Sequence, residues 1–245
     1  LAALSARGIV ATNTPDVLDE AVADFAWALL LAAARRVGEA ERYVRAGHWT
    51  KPSYRLLLGA DVHGATLGVL GMGRIGQAIA RRAAGFEMTV VYHNRSRLDA
   101  DVERACRAEY VARDELLRRA DFLVLALPFT AESRHAIGAR ELAAMKPGAI
   151  LVNVARGGVV DDDALADALK AGRLRGAALD VYENEPALAP SLLALDNVVL
   201  TPHIASASTS TRRAMVALAI DNLIAALGRG PHAGRPPNAI RARAK

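Results

Sequence analysis

The sequence predicts an α/β fold, a doubly wound parallel sheet accompanied by the remnant of a second, smaller α/β domain. Three observations carry that expectation. From Ala65 onward, short runs that are apolar on both faces alternate with helical stretches, the pattern of a parallel sheet covered on either side. The first of these runs ends in a glycine-rich turn that opens a helix. The ends of the chain, 1–14 and 207–245, stand outside the alternation and are assigned to the second domain, leaving 15–206 as the first.

Residues 9–11 read as a short strand. Thr14-Pro15 reads as a helix start, with Thr14 as N-cap and proline at the first helical position. The apolar helix that follows is expected from Asp16 to about Arg36, extending toward Gly47, and 49–64 reads as a loop. Strands are expected at 66–70, 88–93, 122–127, 149–154, 177–181 and 198–201. Helices are expected from the glycine turn to about Gly85, then over 114–120, 161–171 and 208–227. Asp161-Asp162-Asp163 reads as the cap and first turn of the third of these, where acids are favoured. The tail containing Pro236-Pro237-Asn238 builds no core alone and must pack on something earlier.

Hydrophobic residues make up 52% of the 245, enough for a sizeable core. No apolar run reaches the roughly 18 residues a membrane helix needs, and the start shows no signal-peptide pattern. A soluble cytoplasmic protein is expected, without a membrane partner. The net charge of +5 comes from scattered arginines, with lysine only at Lys51, Lys146, Lys170 and Lys245, which argues against a nucleic-acid surface. Cys106 stands alone and no Cys/His cluster has metal-ligand spacing, so neither a disulfide nor a metal site is expected. The chain begins at Leu1 and reads as an incomplete protein.

Gly71-Met72-Gly73-Arg74-Ile75-Gly76 is a G-x-G-x-x-G between a strand and a helix, the context of a Rossmann-type dinucleotide site. Gly71 suits the tight turn, Gly73 the close approach of a pyrophosphate, and Gly76 the packing of helix on strand. The helix N-terminus adds free N–H groups and partial positive charge. A carboxylate at the end of the second strand would bind the ribose 2′-hydroxyl of NAD. Asn94 stands there instead, followed by Arg95, Ser96 and Arg97. These can donate to a 2′-phosphate and pair with its charge, which favours NADP over NAD.

Three later segments each begin at the carboxyl end of an expected strand, the edge where open α/β sheets bind ligands. They are Val152-Asn153-Val154-Ala155-Arg156-Gly157-Gly158, Leu179-Asp180-Val181-Tyr182-Glu183-Asn184-Glu185-Pro186 and Thr201-Pro202-His203-Ile204-Ala205-Ser206.

With these segments in this order, the chain resembles the D-isomer-specific 2-hydroxyacid dehydrogenase family, from about Gly8 to Asn238. Residues 61–95 are most similar to its glyoxylate/hydroxypyruvate reductase branch, which includes 2-ketogluconate reductases. The resemblance implies that Arg156, Glu185 and His203 are catalytic in the reduction of a small 2-keto acid to a D-2-hydroxy acid. His203 would donate a proton to the carbonyl oxygen, Glu185 would hold the imidazole, and Arg156 would grip the substrate carboxylate. Cofactor contacts are expected from Leu127, Pro128, Val154, Ala155, Arg156, Asp180, His203 and Ser206 besides the glycine turn and Asn94 to Arg97, with Asp180 beside the nicotinamide carboxamide. A homodimer is implied, formed in part by the helix from Asp16 and the loop near Trp49.

His48, His63, His93, His135 and His232 read as structural or surface residues, Tyr182 and Trp27 as packing residues, and Glu183 yields to Glu185 as the family's glutamate. Many relatives carry glycine at the position of Ala205. The family also has a longer N-terminal segment, most of its substrate domain, without which turnover is in doubt. Glutamine in place of Glu185 marks formate dehydrogenases and disfavours them, whereas phosphite dehydrogenases share the Arg, Glu and His. A dinucleotide-sensing interaction protein of the corepressor kind and an inactive fragment remain as alternatives.

Overall fold

The computed structural model of the chain describes residues 1–240. Its elements in chain order are α1 (Ala2–Ala6), β1 (Ala11–Thr12), α2 (Asp19–Ala34), α3 (Val37–Arg45), β2 (Thr66–Leu70), α4 (Arg74–Ala83), β3 (Thr89–His93), α5 (Ala100–Cys106), β4 (Ala108–Tyr110), α6 (Arg113–Arg119), β5 (Phe122–Leu125), α7 (Ala139–Ala144), β6 (Ile150–Asn153), α8 (Asp162–Lys170), β7 (Gly176–Leu179), α9 (Pro190–Leu193), β8 (Val198–Leu200), α10 (Thr209–Ala226) and β9 (Ala239–Ile240). The chain separates into two compact units, Val22–Ala205 and Leu1–Ala21 together with the chain from Ser206.

The larger unit is built on a parallel seven-stranded sheet in the order β4-β3-β2-β5-β6-β7-β8. The chain enters at β2, winds outward to β4, returns beside β2 as β5 and winds the other way to β8. That is the doubly wound, Rossmann-type order, and its reversal between β2 and β5 opens a crevice at the strands' carboxyl ends. Every residue of β5, β6 and β7 is buried, which explains their unbroken apolar runs. Leu123, Leu125 and Leu151 from these strands pack with Ile137, Leu142 and Leu165 in one core. Trp27 is a packing residue: it is 5% exposed, its indole N–H donates to the Ile79 carbonyl at 3.0 Å, and its ring stacks on Phe86 at 4.7 Å.

Several boundaries differ from the sequence reading. Thr14-Pro15 does not open a helix, because Asp16 turns the backbone left-handed at φ 69° and α2 begins only at Asp19. The carboxylates of Asp19 and Glu20 then fall in the first turn, where they favour the helix dipole. A second left-handed residue, Arg36 at φ 55°, separates α2 from α3. The edge strand β4 is absent from the sequence expectation; it is three residues long, with no apolar run to mark it. The short helices α5 and α7 are likewise additions to it.

In the smaller unit β1 pairs antiparallel with β9, Ala11 opposite Ile240. Asn222 of α10, 1% exposed, donates to the Asn13 carbonyl at 3.4 Å and to Asn238 Oδ1 at 3.1 Å, and accepts the Asn238 N–H at 3.1 Å. One buried carboxamide thus pins the tail to the start of the chain, which supplies the earlier partner the tail needs. Among the described residues no helix is long and apolar enough to cross a membrane.

Candidate active site

The glycine turn joins β2 to α4 at the crevice. A Cβ on Gly71, at φ 100°, would lie 2.7 Å from the backbone of Ala126 and Leu127, so the turn abuts the end of β5. A Cβ on Gly76 would lie 2.3 Å from the Gly71 carbonyl oxygen. Gly73 differs, since a Cβ there would meet nothing within 4 Å. It faces open space and caps α4 with no side-chain hydrogen bond, while Arg74 and Ile75 start the helix, exposed and half-buried. Open space in front of uncapped N–H groups fits an anionic pyrophosphate. Beyond β5, Leu127 is half-buried and Pro128 exposed.

The turn after β3 is tied directly to this loop. Asn94 Oδ1 accepts the Met72 N–H at 2.6 Å, and Gly71 N–H donates to the His93 carbonyl at 3.1 Å. His93 is structural, with Nδ1 2.9 Å from the Val111 carbonyl and its ring stacked on Tyr110. Arg95 and Ser96 are exposed. Arg97, expected from the sequence as a cation open to a phosphate, already has a partner in Glu103. Its Nε and Nη2 donate to the two carboxylate oxygens at 2.9 and 2.8 Å. The buried Tyr92 hydroxyl donates to the same carboxylate at 2.6 Å and accepts the Leu98 N–H at 2.9 Å. Hydrogen bonds from Arg97 and Tyr92 pull the Glu103 carboxyl down to about 2, and burial pushes the Tyr92 hydroxyl up to about 12.

His203 and Glu185 meet. His203 Nδ1 lies 2.7 Å from Glu185 Oε2, while Glu185 Oε1 accepts the Tyr182 N–H at 2.9 Å. His203 adopts a left-handed backbone at φ 52°, a conformation that needs outside support in a residue with a side chain. Asp180 supplies it. Its Oδ1 accepts from the Thr201 hydroxyl at 2.6 Å and the Ile204 N–H at 2.9 Å, and its Oδ2 accepts the Ala205 N–H at 2.7 Å. Expected beside a nicotinamide carboxamide, Asp180 has no exposed surface, and both of its oxygens are engaged in holding the histidine loop.

Arg156 is exposed at the end of β6, and its Nη1 donates to its neighbour's carbonyl, Ala155 O, at 2.6 Å. Val154 and Ala155 are buried. The loop is shaped by Asn153, 1% exposed, whose Oδ1 accepts the Ala155 N–H at 3.0 Å. A Cβ on Gly157 would fall 1.6 Å from the Tyr182 carbonyl oxygen, so the arginine loop and the glutamate loop are in direct backbone contact. Ser206, half-buried, lies in the smaller unit.

Sequence reasoning passed over the roles of Asn153, Glu103, Glu183 and His135. Glu183 Oε1 accepts from Arg134 Nη2 at 3.0 Å and lies 3.0 Å from His135 Nε2. The Glu183 N–H donates to Asp162 Oδ2 at 3.1 Å. Only the place of Glu183 in the segment that carries Glu185 hinted at its contacts, because its partners lie 21 to 49 positions away.

A doubly wound sheet with an open glycine turn at its switch point defines a dinucleotide-binding domain. The chain belongs to the D-isomer specific 2-hydroxyacid dehydrogenase family, whose NAD binding domain matches residues 27–205. A glyoxylate reductase of Thermococcus gammatolerans is 52% identical over 89% of this chain, and one of Pyrococcus horikoshii is 53% identical over the same share. The chain spans 66% of the length of each of these curated relatives. Among solved structures, the TT0316 protein of Thermus thermophilus is 48% identical with a TM-score of 0.89, covering 98% of this chain and 74% of that one. The NADPH-dependent glyoxylate/hydroxypyruvate reductase of Sinorhizobium meliloti, solved with NADP and malonate, is 41% identical with a TM-score of 0.87 and covers 98% and 75%.

Proposed function

We propose that the protein reduces a small 2-keto acid, such as glyoxylate, hydroxypyruvate or 2-ketogluconate, to its D-2-hydroxy acid, with NADP as the preferred cofactor. The observation that carries this reading is the 2.7 Å contact between His203 Nδ1 and Glu185 Oε2, at the same sheet edge as the open glycine turn. Family membership and the names of the relatives support the substrate class.

A reduced nicotinamide, when bound, supplies the hydride that goes to C2 of the keto acid. The remaining work falls to the chain. With Nδ1–H given to Glu185, the proton for the carbonyl oxygen sits on His203 Nε2. Glu185, itself fixed by the Tyr182 N–H, holds the ring and stabilises its cationic form. Asp180 fixes the loop beneath the ring. Arg156 offers a planar fork to the substrate carboxylate and carbonyl, which sets the orientation of C2. Gly71, Gly73, Gly76 and the start of α4 hold the pyrophosphate, and Leu127, Pro128, Val154 and Ala155 border the dinucleotide. Asn94, Arg95, Ser96 and Arg97 take the 2′-phosphate. In this reading Val22–Ala205 is the cofactor domain, the smaller unit belongs to the substrate domain, and the protein works as a homodimer in the cytoplasm.

The test is a spectrophotometric assay of the protein from its whole reading frame, with NADPH and NADH against glyoxylate, hydroxypyruvate, 2-ketogluconate and pyruvate. Turnover with at least one of these acids, faster with NADPH, is the expected result. Equal use of both cofactors overturns the NADP preference, and no turnover on any of them overturns the activity.

A further inference from the structure

The turn after β3 carries a feature that the glycine motif and the catalytic pair leave unused. Glu103 stands on α5, outside every motif, with its carboxylate side chain only 10% exposed. It grips Arg97 through two parallel hydrogen bonds of 2.8 and 2.9 Å, and the Tyr92 hydroxyl holds it from behind at 2.6 Å. The same hydroxyl accepts the Leu98 N–H, so strand, turn and helix close on one carboxylate. Asn94, at the other end of the turn, is bonded to the glycine loop.

We propose that Glu103 is a positioning residue for cofactor choice: it holds the Arg97 guanidinium so that its outer edge receives the ribose 2′-phosphate of NADP. The proposal rests on the NADP reading given above. The two bonds occupy Nε and one hydrogen of Nη2. Nη1 makes no hydrogen bond among the described residues, and the Arg97 side chain is 65% exposed. A planar guanidinium bound along one edge therefore presents its other edge outward, with the plane already set.

Glu103 has two opposed effects on a phosphate. Ordering a free arginine costs side-chain entropy worth on the order of thirtyfold in affinity, and that cost is met before the ligand arrives. The carboxylate also repels the phosphate. Across the width of the guanidinium and in contact with water, that repulsion is worth about threefold for each of the phosphate's two charges, or about ninefold in all. Ordering outweighs repulsion by about threefold, so Glu103 favours the 2′-phosphate although it carries the wrong charge.

The test is calorimetric titration of the chain with adenosine 2′,5′-bisphosphate and with adenosine 5′-monophosphate, which differ only in the 2′-phosphate. The wild type is expected to prefer the bisphosphate by at least about tenfold. Glu103→Gln should reduce that preference by about threefold while leaving monophosphate binding unchanged, a ratio that general loosening of the fold does not move. Arg97→Ala, which removes the guanidinium itself, should reduce it by more, and the double variant no further than Arg97→Ala alone. Tyr92→Phe, which frees the carboxylate from one side only, should give a smaller loss of the same sign. A wild type without preference overturns the NADP reading and this proposal with it. A clear wild-type preference that Glu103→Gln leaves intact or increases overturns the role of Glu103 alone.

Discussion

Asp180 sets the backbone around His203 without touching its ring. The Asp180 carboxylate binds the N–H groups of Ile204 and Ala205 and the hydroxyl of Thr201, and His203 sits between them at φ 52°. The residue that follows β7 thereby fixes the conformation of a loop that starts 21 positions later. Replacing Asp180 with alanine strands the buried Ala205 N–H and the part-buried Ile204 N–H and removes the support for a left-handed residue. Asp180→Ala is expected to lose roughly 3–5 kcal/mol of stability, and Thr201→Val about 1 kcal/mol. Urea denaturation of both variants checks this, and an Asp180→Ala protein as stable as wild type would refute the anchoring role.

Two glycines in the crevice predict opposite outcomes for the same substitution. A methyl group at Gly157 collides with the Tyr182 carbonyl oxygen at 1.6 Å, so Gly157→Ala must push the arginine loop off the glutamate loop. A cost of at least about 3 kcal/mol is expected, read as a lowered Tm. Gly73 has ordinary backbone angles, φ −77° and ψ −163°, and open space ahead. Gly73→Ala should leave stability within about 1 kcal/mol of wild type but weaken dinucleotide binding by about tenfold or more, because the methyl group occupies the approach to the phosphates.

These particulars separate what the sequence made legible from what it did not. The G-x-G-x-x-G and every strand of the larger sheet except β4 were readable because each depends on local features, apolar runs and glycines at fixed spacing. His203 and Glu185 were singled out by the family resemblance, through the proline beside each, and the structure brings the two together. The supports were not singled out. Glu183 acts through partners distant along the chain, and Glu103 and Asn153 through hydrogen bonds across turns and loops outside any regular element, and no periodicity records such pairings. The misplaced start of α2 has a different cause. Thr14-Pro15 is a good local start signal, but the left-handed turn at Asp16 defers the helix to the acids at Asp19 and Glu20.

The Glu103 carboxyl also makes a pH prediction of definite sign. Hydrogen bonds from Arg97 and Tyr92 hold it at about 2, below the ordinary glutamate value of about 4.3. A depressed carboxyl contributes stability that is fully present above its unfolded value and is lost as pH falls toward its folded value. Glu103→Gln should therefore be less stable than wild type at about pH 6, with the difference shrinking between about pH 4.3 and about pH 2. Denaturation midpoints measured at several pH values give the comparison; a difference that stays constant across that whole range would contradict the pairing.

The two glutamates of Glu183-Asn184-Glu185 make the sharpest pair of predictions, since identical chemistry two positions apart is put to different use. Glu185 meets His203, the pair to which the proposed function gives the proton transfer, whereas Glu183 meets Arg134 and His135 on the loop after β5. Glu183 also gives its N–H to Asp162, whose carboxyl burial pushes above its ordinary value. Both glutamate side chains are partly exposed, so neither change should cost much more than about 1 kcal/mol of stability. Glu185→Gln should cut turnover by about a hundredfold to a thousandfold, because a neutral amide neither favours the imidazolium nor fixes which nitrogen carries the proton. His203→Ala should lose at least as much, and the double variant little more, as members of one unit are not additive. Glu183→Gln should keep turnover within about threefold of wild type, since its carboxylate ties two loops without entering the proton path. Steady-state kinetics on the three single variants and the double decide the matter. Equal losses from Glu183→Gln and Glu185→Gln would mean that the loop responds as a whole and that the 2.7 Å contact has no privileged role in the chemistry.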